Sequence, residues 1–289
     1  PAALAAEVLC GACGALDEYT AFVTPELLAD PAADLAPHGL FLGFDSDGVL
    51  VEGVAPGSWA AFHTPFRRGD RIGRVNGRSM FGGPMDLADA LRTPTADGFH
   101  ELEPDGDGAA PVRVPAVAPT VFGGKMLPGR DGVGYLRVGE FQPTTPQELT
   151  DALMCLRTQG LRALVLDLRG NPGGSFLAAV EAARRFLPAG PIVTTFGQLP
   201  QLAGQAFASM SGSAATDLPL VVLVDGETAS AAEVLAAALR DNHRAELVGK
   251  HTYGKGSLQF LLRLTGPGAV RVTIARLVAP TGPLAAGVA

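Results

Sequence analysis

Leu218-Pro219-Leu220-Val221-Val222-Leu223-Val224-Asp225-Gly226-Glu227-Thr228-Ala229-Ser230-Ala231-Ala232-Glu233 is the stretch on which the reading of the fold turns. Residues 218–224 form an apolar run of strand length, and residues 229–240 form an Ala-rich run of helical length. Apolarity in the strand is continuous rather than alternating, which suits a central parallel strand covered on both faces. The chain therefore passes from a buried strand, through a short polar turn, straight into a helix.

The same grammar recurs upstream. Ala163–Leu168 is a second apolar run, followed by a helical stretch at 176–187. Val133–Val138 reads as a strand. Thr145-Pro146-Gln147-Glu148 then reads as a helix start, with Thr145 as N-cap, Pro146 as first helical residue and Glu148 as the returning acceptor of a capping box. Two β-like runs, 257–264 and 269–278, close the chain. This βαβαβ order predicts a layered α/β domain.

Toward the N-terminus the character changes. Residues 1–30 are Ala-rich with helical spacing, and a second short helix is expected to start near Thr24-Pro25. From His38 to about Pro119, short β-like runs (Leu40–Phe44, Val49–Val54) are broken by Asp-Gly and Pro-Gly turns. Residues 84–92 read as a short helix with Leu87 and Leu91 on one face, and 93–111 as a Gly-, Asp- and Pro-rich loop.

Three places in the α/β half use residues that packing alone does not demand. Asp167-Leu168-Arg169-Gly170-Asn171-Pro172-Gly173-Gly174 follows a buried strand. Its paired glycines suit either a tight βα turn or a close backbone approach with free amide donors. In Asp225–Glu233 a serine stands at a helix N-terminus, where it is either a cap or a group whose neighbouring amides can stabilise an oxyanion. In Thr252-Tyr253-Gly254-Lys255-Gly256-Ser257-Leu258-Gln259 a lysine is flanked by glycines. It is either a solvated turn or, if burial brings its pKa down by roughly 3 units from the ordinary value, a general base that Gln259 could orient.

Together these segments resemble the tail-specific, or C-terminal processing, serine peptidase family of Ser–Lys type. Thr228-Ala229-Ser230-Ala231-Ala232-Glu233 is similar to the family's nucleophile segment, and Gly254-Lys255-Gly256-Ser257-Leu258-Gln259, with Lys255 lying 25 positions after Ser230, to its base segment. Residues 167–174 are similar to its Asp-Leu-Arg-x-Asn-x-Gly-Gly. The resemblance runs with gaps from about Leu16 to Gly287. It implies Ser230 as nucleophile, Lys255 as general base and Gln259 as the residue positioning Lys255. The amides of Ala231 and Gly174 would form the oxyanion hole, with Gly173 as the fallback donor.

The implied fold is a layered α/β core of the ClpP/crotonase type, a PDZ-like β-rich domain and a short N-terminal helical segment. The expected boundaries are 1–37 for the helical segment, 38–119 for the PDZ-like domain and 120–289 for the catalytic domain. Gly39, Leu40, Phe41 and Leu42 resemble the carboxylate-binding loop and strand of a PDZ groove. Pro56-Gly57-Ser58 and Gly69-Asp70-Arg71-Ile72 resemble further PDZ segments of the family. Ala232 stands where many members carry serine. Relatives usually continue beyond Thr281-Gly282, so a further C-terminal portion is expected. The first residue is Pro1, as at a processed or artificial end.

Partners implied by the resemblance are polypeptides with free C-termini, with a homo-oligomer as a possibility and a periplasmic or otherwise extracytoplasmic location. No metal or organic cofactor is needed for the implied chemistry. Composition gives limits of its own. Hydrophobic residues make up 47% and charged residues 18%, enough for a sizeable core. A formal net charge of −7 and the lack of any Lys/Arg run argue against a nucleic-acid groove. No apolar stretch approaches the roughly 20 residues that span a bilayer. Cys10, Cys13 and Cys155 are odd in number, which excludes a complete disulfide framework. Cys10-Gly-Ala-Cys13 has the spacing of a redox or metal half-site, and these two are expected to be structural on an N-terminal helix, with a disulfide or redox role as the alternative.

Three rival readings carry weight. His251 lies near Lys255 and would give a Ser–His pair, although His38, His63, His100, His243 and His251 belong to no matched motif. A catalytically silent PDZ-containing peptide-binding scaffold would keep the groove and lose the chemistry. A crotonase-type acyl-CoA enzyme would share the core and the amide pair, but leaves the Ser–Lys spacing unexplained.

Overall fold

The computed structural model describes residues 2–24, 35–45, 48–80, 87, 90, 91, 93–106, 109–197, 200–210, 212, 216–265, 268–284 and 288. The chain divides into two compact units, one of residues 1–29 with 123–289 and one of residues 30–122.

The first unit begins with helix α1 (Ala2–Gly14) and strand β1 (Ala21–Val23). The N-terminal segment holds its helix and then a strand of one of this unit's sheets. Ala21, Phe22 and Val23 pair antiparallel with Arg271, Val270 and Ala269 of a strand near the other end of the chain. Cys10 is exposed, Cys13 buried and Cys155 exposed, and all three are free thiols. The expected helix near Pro25 lies outside the described residues.

The second unit is a sheet of β2 (Leu40–Asp45), β3 (Gly48–Val54), β4 (Arg71–Val75), β5 (Arg78–Ser79), β6 (Phe99–Pro104) and β7 (Val112–Pro115), with the short helix α2 (Trp59–His63). Strand order is β2-β3-β4-β6-β7, with β5 on β4, so β2 is an edge. Leu40, Val49, Val51, Trp59, Ile72, Val75, Leu102 and Val114 form its core. Strand β6 corrects the loop expected over 93–111. His100 and Leu102 are buried while the residues beside them are only partly so, a strand alternation that a Glu-rich composition disguises. The helix expected over 84–92 lies mostly outside the described residues, although Leu87, Ala90 and Leu91 are buried.

Returning to the first unit, β8 (Val121–Met126), β9 (Val133–Val138), α3 (Thr145–Thr158), β10 (Ala163–Asp167) and α4 (Phe176–Phe186) come first. They are followed by β11 (Gly190–Gly197), β12 (Ala203–Ser209), β13 (Leu220–Val224), α5 (Ala231–Asp241) and β14 (Glu246–Gly249). The last elements are β15 (Ser257–Arg263), β16 (Ala269–Ala279) and β17 (Gly282–Pro283). One sheet has the order β14-β13-β10-β9-β8, in which β9, β10, β13 and β14 are parallel. The other has the order β1-β16-β11-β12, with β15 and β17 also on β16.

Helix α5 touches β14 of the first sheet and β11 and β16 of the second. That position explains why Ala231 through Leu239 are all buried: a helix covered on every side has no use for a polar face. Small alanines let α4 pack closely against it.

The α3 cap differs from expectation by one residue. Thr144 is the N-cap, and the Thr145 hydroxyl instead accepts the Gln142 N–H at 2.8 Å. Hairpin β11–β12 had no counterpart in the sequence reading. No helix among the described residues is long and apolar enough to cross a membrane.

Candidate active site

Parallel strands bring their C-terminal ends to one edge of a sheet, where the following turns meet. Strands β10, β13 and β14 do this with the turns 168–175, 225–230 and 250–256. The three turns are stitched to one another. Thr228 Oγ1 donates to Leu168 O at 2.9 Å, Ala229 N to Asn171 O at 2.9 Å, and Gly170 N to Asp225 Oδ1 at 2.9 Å. Tyr253 N donates to Thr228 O at 2.9 Å.

Ser230 is the N-cap of α5 and has φ of +54° and ψ of −115°, a conformation a non-glycine residue rarely adopts. Such strain persists only where surroundings over-determine it. Here the Ser230 N–H donates to Glu233 Oε2 at 2.7 Å, one turn into the helix. Glu233 is fully buried and accepts three more hydrogen bonds, all from the third turn. Thr252 Oγ1 reaches Oε1 at 2.6 Å, Gly254 N reaches Oε1 at 2.7 Å and Lys255 N reaches Oε2 at 2.8 Å. Thr252 Oγ1 in turn accepts the Val288 N–H at 2.6 Å. One buried carboxylate thus sets both the serine and the backbone of the lysine.

The glycine pair meets the serine from the other side. A Cβ on Gly173 would fall 2.9 Å from Ser230 Cβ and 3.0 Å from Ala231 N, and its φ is +107°. A Cβ on Gly174 would fall 2.2 Å from Phe141 O. Both positions therefore require glycine. The two amides are not equivalent. Gly173 N already donates to Asn171 Oδ1 at 2.8 Å, and Gly173 is buried. The Gly173 N–H is thus engaged within its own turn. Gly174 is exposed, and neither its N–H nor that of Ala231 has an acceptor among the described residues.

A model of peptidase family S41 matches residues 132–288. The chain belongs to this family. A carboxyl-terminal-processing protease of Synechocystis sp. is 45% identical over 153 residues, covering 53% of this chain and 35% of that protein. Carboxyl-terminal-processing peptidase 1, chloroplastic, of Arabidopsis thaliana is 33% identical over 280 residues, covering 91% of this chain and 56% of that protein. Among solved structures, a photosystem II D1 C-terminal processing protease superposes with a TM-score of 0.60 at 30% identity, over 99% of this chain and 81% of that one. The mixed α/β fold is therefore that of S41 proteases. The S41 chain spans well under two thirds of the length of the two curated relatives.

Lys255 in this S41 peptidase is half-buried. Burial lowers its pKa, the charge of Arg271 lowers it further, and Glu233 opposes both. Its Nζ stands 5.6 Å from the centroid of the Tyr19 ring. No hydrogen bond joins Ser230 Oγ to Lys255 Nζ among the described residues. Gln259 does not bond Lys255 either: its Nε2 donates to Tyr19 O at 2.6 Å. His251 is exposed and makes no side-chain hydrogen bond among the described residues.

Behind the first turn, Asp167 is fully buried and receives Tyr135 Oη at 2.7 Å, Arg169 Nη2 at 2.7 Å and Arg137 Nη1 at 3.1 Å. Burial pushes its carboxyl up, but the bonds from Arg169 and Tyr135 outweigh that and leave it below the ordinary carboxylate value. Arg169 is pushed up in return by its bond to Asp167. No group of His, Cys, Asp and Glu suited to a metal ion exists among the described residues.

In the residue 30–122 unit, Gly39 has φ of +77° and packs where any Cβ would meet Ser58 Cβ at 2.2 Å. Leu40 is buried in the core, Leu42 is half-buried and Phe41 is exposed, at 44% the most open of the groove candidates. Strand β2 pairs with β3 on one side only among the described residues, with a register shift between Phe41 and Leu42.

Glu233, Asn171 and Asp167 stand within the motifs, but their parts in the site show only in the fold. Tyr19 carries no motif signal, being 240 positions from its partner Gln259.

Proposed function

We propose that this chain is a serine endopeptidase that cleaves polypeptides near or from their C-terminal region, with Ser230 as nucleophile and neutral Lys255 as general base. The observation that carries the reading is the shared acceptor: Glu233 Oε2 holds the N–H of Ser230 and the N–H of Lys255. The Ser230–Glu233 bond is by itself a capping box; what a cap does not require is that the same oxygen also takes the N–H of Lys255 from another turn.

In this mechanism Lys255 Nζ takes the Ser230 Oγ proton as Oγ attacks the scissile carbonyl. The oxyanion is received by the N–H groups of Ala231 and Gly174, aided by the positive end of α5. Collapse expels the amine, which takes the proton from Lys255, and water then hydrolyses the acyl-enzyme with the same base. Gln259, tied by its Nε2 to Tyr19, keeps Oε1 as an acceptor that orients the neutral Lys255 amine. The two sheets with α5 between them are read as ClpP/crotonase-type layering. Residues 38–119 are read as a PDZ-like domain whose edge strand β2 takes a substrate C-terminus as an added strand. An extracytoplasmic location goes with this reading.

Incubation with an unfolded polypeptide, beside a Ser230→Ala control, tests it. Fragments are expected from the wild type alone, and fewer when the substrate C-terminus is amidated. Equal fragments from both proteins would assign the cleavage elsewhere; no dependence on the carboxylate would remove the PDZ part.

A further inference from the structure

We propose that Tyr19 is a positioning residue of the active site, holding Gln259 through its backbone carbonyl and shielding Lys255 from water with its ring. The inference rests on the reading of Lys255 as base and adds to the site a segment that none of its motifs contains.

Tyr19 stands in a turn built to be rigid. Asp17 Oδ1 accepts the N–H of Tyr19 at 2.8 Å and of Thr20 at 2.9 Å, and Oδ2 accepts Thr20 Oγ1 at 2.6 Å. The same carboxylate reaches strand β16, where Thr273 Oγ1 donates to Oδ1 at 2.9 Å and Thr273 N donates to Thr20 Oγ1 at 3.1 Å. Strand β1 then pairs with β16 from Ala21 onward. Tyr19 is therefore held beside β16, whose other side carries β15 and Gln259. Its carbonyl takes the Gln259 amide at 2.6 Å, and its ring faces Lys255 Nζ at 5.6 Å.

The groups facing the lysine are few: Glu233 from α5, Arg271 from β16, and Tyr19 with Glu18 and Tyr253 about its hydroxyl. Burial and the nearby Glu18 push the Tyr19 hydroxyl up to about 12, so it stays neutral and adds no charge beside the amine. A ring 5.6 Å away is near the roughly 6 Å limit of cation–π attraction. Exclusion of water therefore outweighs it, and the ring favours the neutral amine.

The chain has three lysines, Lys125, Lys250 and Lys255, so 13C-labelling of lysine side chains gives a titration that can be assigned by single replacement. Wild type, Tyr19→Ala, Tyr19→Gln and Tyr19→Phe are compared, with kcat and KM measured on an unfolded polypeptide. The expected result is a Lys255 titration moved toward the ordinary lysine value in the Ala and Gln variants and unmoved in the Phe variant. The kcat of Ala and Gln should fall about tenfold with KM within about twofold. Gln keeps bulk, so it reports even if Ala unfolds. A Lys255 titration unchanged in Ala and Gln overturns the shielding role of the Tyr19 ring and leaves the base assignment standing. A shift to lower pH would make cation–π attraction the dominant effect and also overturns it. An ordinary titration in the wild type removes the base assignment itself.

Discussion

Ser230 and Lys255 donate their backbone N–H groups to the same atom, Glu233 Oε2, at 2.7 and 2.8 Å. All four partners of this buried side chain are donors, so its two oxygens serve as acceptors throughout, which an amide NH2 cannot do.

Glu233→Gln places an NH2 against two of those four donors, either the pair on Oε2 or the Thr252 hydroxyl and Gly254 N–H on Oε1. An unsatisfied buried donor costs about 1–3 kcal/mol, so the variant is expected to lose about 2–5 kcal/mol of stability. Its kcat is expected to fall by on the order of 100-fold, because Ser230 then relaxes from its positive φ. Thermal unfolding and steady-state kinetics check this. A variant as stable and active as wild type would contradict the clamp.

Gly173→Ala brings a methyl to 2.9 Å from Ser230 Cβ at a φ of +107°. It should abolish detectable turnover and cost about 1–3 kcal/mol. Gly226→Ala is the contrast: its Cβ would meet nothing nearer than His251 O at 3.9 Å, and near-wild-type kcat is expected. Kinetics on the pair separate steric exclusion beside the serine from general intolerance in the turns.

Lys255 must be neutral to act, and burial with Arg271 brings its pKa down. The kcat profile is therefore expected to rise with pH and level off below the pH at which free lysine titrates. Arg271→Gln removes a repulsion, so that limb should move to higher pH. Linkage gives the matching sign for stability. Between the lowered folded value and the ordinary unfolded one the unfolded chain holds the extra proton, so stability rises with pH across that window. A pH-independent kcat would rule out the amine as base.

Asp167 behaves oppositely under acid. Its folded value lies below the ordinary one despite burial, because Arg169, Tyr135 and Arg137 stabilise the ionised form. The stability it contributes is complete above the unfolded carboxylate value and is lost as pH falls through the folded one. Asp167→Asn should flatten acid unfolding between those values while lowering stability at pH 7 by about 3–5 kcal/mol. Denaturant titrations at several pH values measure both.

Much of the first unit was legible because its strands and helices obey simple periods. The apolar runs at β9, β10 and β13 and the Ala-rich α5 are local properties of the chain. Strand β6 was not legible, since its glutamates mask the alternation that buries His100 and Leu102. In the site, the motif residues were readable, but their states were not. Whether Gly173 or Gly174 keeps a free N–H depends on how the Asn171 side chain turns, which no spacing encodes. Tyr19 was hidden for a different reason: its contact with Gln259 closes the unit across nearly the whole chain.

Quenching a reaction with an unfolded polypeptide and measuring intact mass, with peptide mapping of any adduct, addresses the nucleophile itself. The expected result is an acyl adduct on the Ser230 peptide in the wild type and none in Ser230→Ala or Lys255→Ala. Turnover by Ser230→Ala, or an adduct mapped to another residue, would contradict the assignment.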